Sequence, residues 1–427
     1  MQVPKQNFTA RDLSRAYLAA QSAVKAQRRI FRYLGWIFLL LTPISVAAGQ
    51  NQKTSADGSH LRSAAQFLVR GDLPHAEEEV QAVLAASPQD YRALNLLGII
   101  RAQQHRSEEA ESIFRQVVTI APDYAGVHVS LGLLYMETNR KEQAIDELEL
   151  ALKFEPGRQD AAKPLLGLLQ EQAKLALREG SFEKSLSILI RARKIAPNNP
   201  ELNYEFGMVA LRMSLFEDAR AAFEQVANAE PANANAIYGL ARAQMGLARI
   251  PVARELLEKY VQLRPTDPTG HFGLGLVLHM LAMPDEARKQ FERSIELQPE
   301  QTEAYVQMGF MDLEANELDR AAGQFGATLR RAPQNVGALL GMGRIQFQRK
   351  EYSKAAEFLE SALARDASIR EAHYYLGLTY ARLGRSRESS EQMAMATTLE
   401  RTDLDRQRII MKLLDPAEAE ALEKNQP

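Results

Sequence analysis

Apolar residues recur at helical spacing through most of this chain, from about residue 57 to about residue 403. They form successive stretches of about 13 residues, and a short polar turn separates each stretch from the next. A final stretch from Leu404 to Leu414 keeps the same character, with Ile409 and Leu413 among its apolar residues. Because positions three and four residues apart share one helix face, the pattern predicts an all-α protein built from short amphipathic helices.

A fixed set of landmark residues repeats along these stretches. The prolines are Pro88, Pro122, Pro156, Pro197, Pro231, Pro265, Pro299 and Pro333, spaced by 34 residues except for one gap of 41, and Ala367 takes the next place. Alanines precede them at Ala76, Ala110, Ala144, Ala219, Ala253, Ala287, Ala321 and Ala355. Glycines follow at Gly98, Gly132, Gly207, Gly275, Gly309, Gly343 and Gly377. A constant period of this length predicts a repeat architecture.

The spacing has a physical explanation in helix pairs. A proline cannot continue a helix, so each proline ends one pair and begins the next. The small residues let the two helices of a pair approach closely, and we expect the glycine and the alanine to face each other across that contact. A single pair cannot bury its apolar face, so stacking of neighbouring pairs is needed to close the core.

The landmarks resemble the tetratricopeptide repeat family. Residues 125–158 carry the pattern in His128, Leu131, Gly132, Tyr135, Ala144, Leu148, Ala151 and Pro156. The resemblance implies a right-handed α-solenoid of about ten helix-turn-helix repeats. The units run over 57–90, 91–124, 125–158, 159–199, 200–233, 234–267, 268–301, 302–335, 336–369 and 370–403.

Two segments depart from the period. The unit 159–199 has seven extra residues, which we place before its first helix with Pro164 in the first turns. We interpret them as a tolerated insertion, or else as a binding feature. Residues 404–427 are predicted to form a capping helix and tail that cover the open end of the solenoid.

The beginning of the chain has the features of an export signal. Residues 1–33 form a basic leader, residues 34–48 are a hydrophobic segment that includes Trp36 and ends in small residues, and 49–56 is predicted to be a linker. The segment is either a cleaved signal, an uncleaved membrane anchor or an ordinary buried helix. We expect cleavage after Ala48. The body would then be exported, to a bacterial periplasm or cell envelope or as a secreted protein; an anchor would instead leave the solenoid tethered outside the cytoplasm.

Composition narrows the possible chemistry. With no cysteine, the chain can form neither disulfides nor thiolate metal sites. Its formal net charge of −2 gives no general attraction to nucleic acid, so we expect no nucleic-acid partner. Motifs for phosphate binding, zinc hydrolysis and serine catalysis are missing. We expect no enzyme activity, no cofactor and no metal site, and we interpret His128, His271 and His373 as packing residues.

The resemblance also implies a binding groove along the first helices of the units. The second, fifth, ninth and twelfth positions of each first helix line this groove, and the last three of them give the candidate site residues Tyr204, Met208, Tyr238, Arg242, Phe272, Leu276, Phe310, Arg344, Phe347 and Tyr374. An apolar groove with isolated arginines suits a partner segment that has apolar anchors and an acidic contact. The basic clamp that some relatives use for chaperone C-termini is missing, because Lys163 is isolated and Glu205 replaces the asparagine that is needed.

We therefore predict a non-enzymatic interaction scaffold of the cell envelope, which binds a protein or peptide whose identity the sequence leaves open. The membrane would be contacted only through residues 34–48 if they remain uncleaved. The alternative is a structural subunit of an envelope machine for secretion, polymer export or pilus biogenesis. A stable stoichiometric complex after purification at native levels would favour the machine subunit.

Overall fold

The computed structural model describes residues 52–400, with side chains over 57–399. Within this range the chain forms twenty α-helices and no strand. The helices divide between two compact units, one that ends at Pro197 and one that begins at Asn198. The prediction of an all-α protein built from helix pairs is confirmed.

The first unit contains eight helices. They are α1 (Gln52–Arg70), α2 (Leu73–Ala86), α3 (Tyr91–Gln103), α4 (Ser107–Ile120), α5 (Ala125–Glu137), α6 (Lys141–Phe154), α7 (Gln159–Arg178) and α8 (Phe182–Ile195). Each odd-numbered helix packs against the even-numbered helix that follows it. We call the odd-numbered helices first helices and the even-numbered ones second helices.

The second unit contains twelve helices in the same alternation. They are α9 (Pro200–Arg212), α10 (Phe216–Ala229), α11 (Ala234–Gly246), α12 (Ile250–Leu263), α13 (Pro268–Met280), α14 (Pro284–Leu297), α15 (Glu303–Glu314), α16 (Leu318–Arg331), α17 (Val336–Gln348), α18 (Tyr352–Arg365), α19 (Arg370–Arg382) and α20 (Ser386–Glu400). Inside each unit, every second helix also contacts the first helix of the next pair. The core of each unit therefore runs continuously along its stacked pairs.

The helix ends follow from local sequence. Each repeating proline stands two residues after a second helix, as Pro122 does after α4 and Pro333 after α16. Several first helices begin behind an Asp or Asn whose side chain accepts a hydrogen bond from a free backbone N–H, for example Asn233 from Ala236 and Asn335 from Ala338. These caps fix where those pairs start.

The turn inside each pair contains one residue in the left-handed backbone region. These residues are Gly71, His105, Asn139, Gly180, Ser214, Ala248, Ala282, Asn316, Lys350 and Gly384, with φ between 57° and 76°. Their spacing follows the sequence period through all ten pairs. The turn geometry is therefore constant although only three of these residues are glycine.

The landmark glycines are required by close packing inside each pair. A Cβ added at Gly309 would lie 2.6 Å from Cε1 of Phe325, and one added at Gly98 would lie 2.4 Å from Cε1 of Phe114. The large apolar side chain of the second helix thus fills most of the space beside the glycine. The expected alanine is a more distant neighbour, with the carbonyl oxygen of Ala144 3.4 Å from a Cβ at Gly132.

Helix α7 is 20 residues long, whereas most first helices have 13. It begins at Gln159 and contains Pro164, so the seven extra residues continue the helix at its N-terminal end. Helix α1 begins at Gln52 and so includes residues 52–56, where the sequence had suggested a linker.

The leader 1–33, the hydrophobic segment 34–48 and the predicted cap 404–427 lie outside the described residues. Among the helices of residues 52–400, none is both long and apolar enough to cross a membrane.

Candidate functional site

The site is assembled on three first helices of the second unit. Helix α15 contacts α17, and α17 contacts α19, so equivalent positions of successive first helices come to lie side by side. Within one helix, side chains three or four residues apart share a face, as Arg344 and Phe347 do on α17. We call the six residues Phe310, Arg344, Phe347, Glu371, Tyr374 and Tyr375 the Arg344 cluster.

Arg344 is the centre of this cluster. Its guanidinium carbon lies 5.7 Å from the ring centre of Phe310 and 5.2 Å from that of Tyr375, which gives two cation–π contacts. Its Nη1 lies 2.8 Å from Oε1 of Glu371 on the next first helix. Glu371 thus occupies, within the chain, the place beside Arg344 that the sequence had suggested for an acidic group of a partner.

The aromatic rings continue around this arginine. Phe347 lies edge-on to Tyr375, with ring centres 5.9 Å apart, and Tyr374 lies edge-on to Tyr375 at 5.5 Å. Phe310 and Phe347 are half-buried, whereas Tyr374 is 40% exposed. The cluster therefore combines a largely fixed cation with apolar surface that a partner can reach.

A small open pocket of about 200 Å³ lies on α19 beside the cluster. It is lined by Arg370, Glu371, Tyr374 and Tyr375. Pockets for small molecules commonly have volumes of about 300–1,000 Å³, so this one suits a single side chain better than a whole ligand.

The structure places Phe272, Leu276 and Arg242 away from the surface. Phe272 has no exposed area and packs against Phe291, with ring centres 5.8 Å apart. Leu276 is buried in the same core, and Arg242 is only 5% exposed. The expectation that Phe272 lines a groove is corrected, because its neighbours in the stacked pairs cover it completely.

Tyr204, Met208 and Tyr238 are half-buried on α9 and α11. Tyr204 packs edge-on against Phe223 at 5.7 Å, and Tyr238 packs against Tyr260 at 5.0 Å. Both tyrosines thus rest on second helices of their own pairs. These three residues lie on first helices, as the Arg344 cluster does, but at least one helix pair separates them from α15.

Sequence reasoning missed Glu371 and Tyr375. Glu371 occupies the second position of its unit, which the resemblance had already assigned to the groove. Tyr375 occupies a sixth position, where three other units have Gly239, Gly273 and Gly341. An aromatic residue at a position that is often glycine was the signal that could have identified it.

The repeated histidines have a structural role. Nδ1 of His128 lies 2.7 Å from Oε2 of Glu147, and its Nε2 lies 2.9 Å from the Pro122 carbonyl oxygen. The same arrangement recurs at His271 with Gln290 and Pro265, and at His373 with Gln392 and Ala367. Each ring links a turn to a second helix, which confirms the packing role. No cluster of three or more His, Asp or Glu suited to a metal occurs among residues 52–400.

Geometry and sequence together define a class of repeat protein that binds other proteins through stacked helix pairs. Tetratricopeptide repeat models match residues 64–125, 204–268 and 312–368 and, in a second version, residues 101–169. These matches cover more than half of the chain. The chain belongs to the tetratricopeptide repeat family, whose repeats serve protein–protein interaction.

Individual relatives share only part of the chain. A segment of 61 residues is 36% identical to human protein O-mannosyl-transferase TMTC3. This segment makes up 13% of this chain and 7% of the length of that protein. The crystal structure of YrrB, a TPR protein with an unusual peptide-binding site, aligns over 43% of this chain and 95% of its own length, with 23% identity and a TM-score of 0.34. One chain in the crystal structure of the APC/C hetero-tetramer Cut9–Hcn1 aligns over 85% of this chain and 92% of its own length, with 11% identity and a TM-score of 0.44. The family assignment rests on the repeat models and the helix pairs.

Proposed function

We propose that this chain is a non-enzymatic scaffold. It binds a segment of a partner protein on the face that the first helices of its second unit form. The observation that carries the proposal is the Arg344 cluster, where partly exposed aromatic rings surround an arginine on three adjacent first helices. Aromatic residues and arginine contribute most to binding energy at protein interfaces. Tyr374 is the anchor with the most exposed surface, and Phe347 and Phe310 extend the apolar area toward α15.

Photo-crosslinking tests this proposal directly. Benzoylphenylalanine in place of Tyr374 should form an adduct with the partner in extracts of the source cells. The same probe in place of Val252, an exposed residue on the second helix α12, is the matched control and should form none. Equal labelling from both positions, or labelling only from Val252, would place the partner elsewhere.

A second experiment relates the site to affinity. We expect Tyr374→Ala to weaken binding of the crosslinked partner by about tenfold, since a buried interface aromatic often contributes ~1–2 kcal/mol or more. The change should leave the thermal midpoint nearly unaltered, because Tyr374 is exposed. Unchanged affinity in a stably folded variant would contradict the assignment of the site.

We further propose that the scaffold is exported to the cell envelope. The support is the basic leader followed by the hydrophobic segment 34–48. Trp36 is the sole tryptophan in the sequence, so protein cleaved after Ala48 would emit only tyrosine fluorescence. Native protein whose intact mass includes residues 1–48, and which needs detergent for extraction, would instead identify an anchored form.

A further inference from the structure

Arg344 is held firmly but remains incompletely satisfied. Its side chain is 17% exposed and lies between the rings of Phe310 and Tyr375. Its Nε is buried and has no hydrogen-bond partner in the part of the chain that the structure describes. Leaving a buried donor unpaired costs about 1–3 kcal/mol, and such groups in native proteins call for an explanation.

Glu371 is the movable member of the ion pair. Its side chain is 40% exposed, more than twice as much as that of Arg344, and it belongs to the next repeat. An exposed carboxylate readily exchanges its ion-pair contact for hydrogen bonds to water, and exposed ion pairs contribute little to stability. An arginine has five N–H donors in a planar fork that matches a carboxylate in two-point contact. Among the described residues, Oε1 of Glu371 at Nη1 is the carboxylate contact of this fork, and Nε has no hydrogen-bond partner.

The surroundings favour an anion over a cation. Arg344 is paired with Glu371, and the hydroxyls of Tyr374 and Tyr375 at the pocket can donate hydrogen bonds. A lysine or arginine from a partner would approach the positive charge of Arg344. A partner carboxylate would meet that cation and those donors and would compete with Glu371.

We propose that an aspartate or glutamate side chain of the partner segment binds Arg344 and displaces Glu371, which acts as an internal competitor. The inference rests on the proposed partner-binding role of this face and specifies its chemistry. Tyr374 and Phe347 take the apolar residues that flank the partner's acid. Glu371 thereby sets a threshold for binding. Only a segment with both an acid and apolar anchors gains more binding free energy than breaking the Arg344–Glu371 pair costs.

The test uses full-length protein in detergent and a phage library of random twelve-residue peptides as the probe. Selection should enrich peptides in which Asp or Glu stands beside aromatic or aliphatic residues. Synthetic copies of the selected peptides should bind Arg344→Gln at least tenfold more weakly and Glu371→Gln severalfold more tightly. Arg254→Gln is the matched control, because it also removes one arginine that is paired with a glutamate, Glu258, on α12. It should change affinity by less than twofold.

Several outcomes would overturn the inference. Selected peptides that are basic and lose affinity in Glu371→Gln would show that the site recognises a cation. Acidic peptides that bind Arg344→Gln as tightly as the wild type, or bind Glu371→Gln more weakly, would contradict the inference that Glu371 competes for Arg344. Apolar peptides that depend on Tyr374 without preference for charge would contradict this inference and leave the proposed function intact. Failure to select any peptide, together with no adduct from position 374, would reject both. Thermal melts of each variant exclude unfolding as the cause.

Discussion

The turn inside each helix pair shows how one backbone angle can be held by many residue types. Ten turns share a residue at φ near +60°, but alanine occupies this position at Ala248 and Ala282. For a residue with a Cβ, this conformation costs roughly 1–2 kcal/mol more than the right-handed one, whereas glycine adopts it freely. The stacked helices therefore impose the angle on residues that do not favour it.

Ala282→Gly should consequently stabilise the protein by about 0.5–1 kcal/mol, since the strain exceeds the extra chain entropy of glycine. Gly384→Ala should have the opposite effect, because nothing within 4 Å would contact the new Cβ and only the backbone angle would oppose it. The measurement is urea unfolding of each variant. Ala394→Gly, inside helix α20, is the control and should destabilise by about 1 kcal/mol. A loss of stability in Ala282→Gly would refute the strain argument.

The pH dependence of the protein should contain a contribution from His128. Burial alone lowers the pKa of His128, but its hydrogen bonds with the Glu147 carboxylate and the Pro122 carbonyl raise it more, so the pKa lies above its usual 6.5. Both ring nitrogens face acceptors, which only the doubly protonated ring can satisfy. At His271 the facing group is Gln290, whose amide can donate as well as accept.

The sign follows from the raised pKa. His128 adds stability that is fully present below the unfolded pKa and is lost as the pH rises through the folded one. As the pH rises from below 6.5 through the raised folded pKa of His128, the free energy of unfolding should therefore fall more in the wild type than in Glu147→Gln. Parallel pH profiles for wild type and Glu147→Gln would contradict this account.

At the scale of the helix pair, packing depends on a glycine beside a large apolar side chain. Gly309 leaves room for the ring of Phe325, and a Cβ there would approach Cε1 to 2.6 Å. Three other pairs have alanine at the equivalent position, and in two of them Ala173 and Ala241 are combined with a leucine rather than a phenylalanine in the second helix. Alanine is thus compatible with leucine at this contact, although leucine also accompanies glycine, as Leu148 does beside Gly132.

Gly309→Ala should destabilise the protein by about 1–3 kcal/mol through overpacking. Phe325→Leu alone should also destabilise, because it leaves a cavity. The double variant should lose clearly less than the sum of the two single losses, since the pairs with Ala173 and Ala241 accommodate this methyl group together with a leucine. Denaturant unfolding of the four proteins gives the coupling energy. Additive losses would mean that the two side chains do not compete for the same space.

At the scale of the whole molecule, stability is expected to be shared between neighbouring pairs. The second unit begins at Asn198 and has core clusters of its own, one of which extends from Ala241 to Met311. A fragment of residues 198–427 should therefore give a helical circular dichroism spectrum and a cooperative thermal transition. A second fragment that ends at residue 400 tests the predicted cap and should melt at a lower temperature. A disordered 198–427 fragment would indicate that the long helix α7 is needed to initiate folding.

The sequence alone was sufficient to predict the repeat, the helix pairs, the helix ends and the family. These features depend on local rules, because prolines stop helices, Asp and Asn cap them, and a 34-residue period places each residue at a defined position in its pair. The packing role of His128 and the extra residues of the 159–199 unit could be inferred from the same register.

The composition of the site was decided by tertiary structure. The period assigns Phe272 and Tyr374 to the same repeat position, but one is fully buried and the other is 40% exposed. The pairing of Arg344 with Glu371 joins two repeats, and no rule within one repeat specifies it. Periodicity fixes where a side chain starts on its helix, whereas its exposure and its partners depend on the size and charge of the side chains that the adjacent helices bring against it.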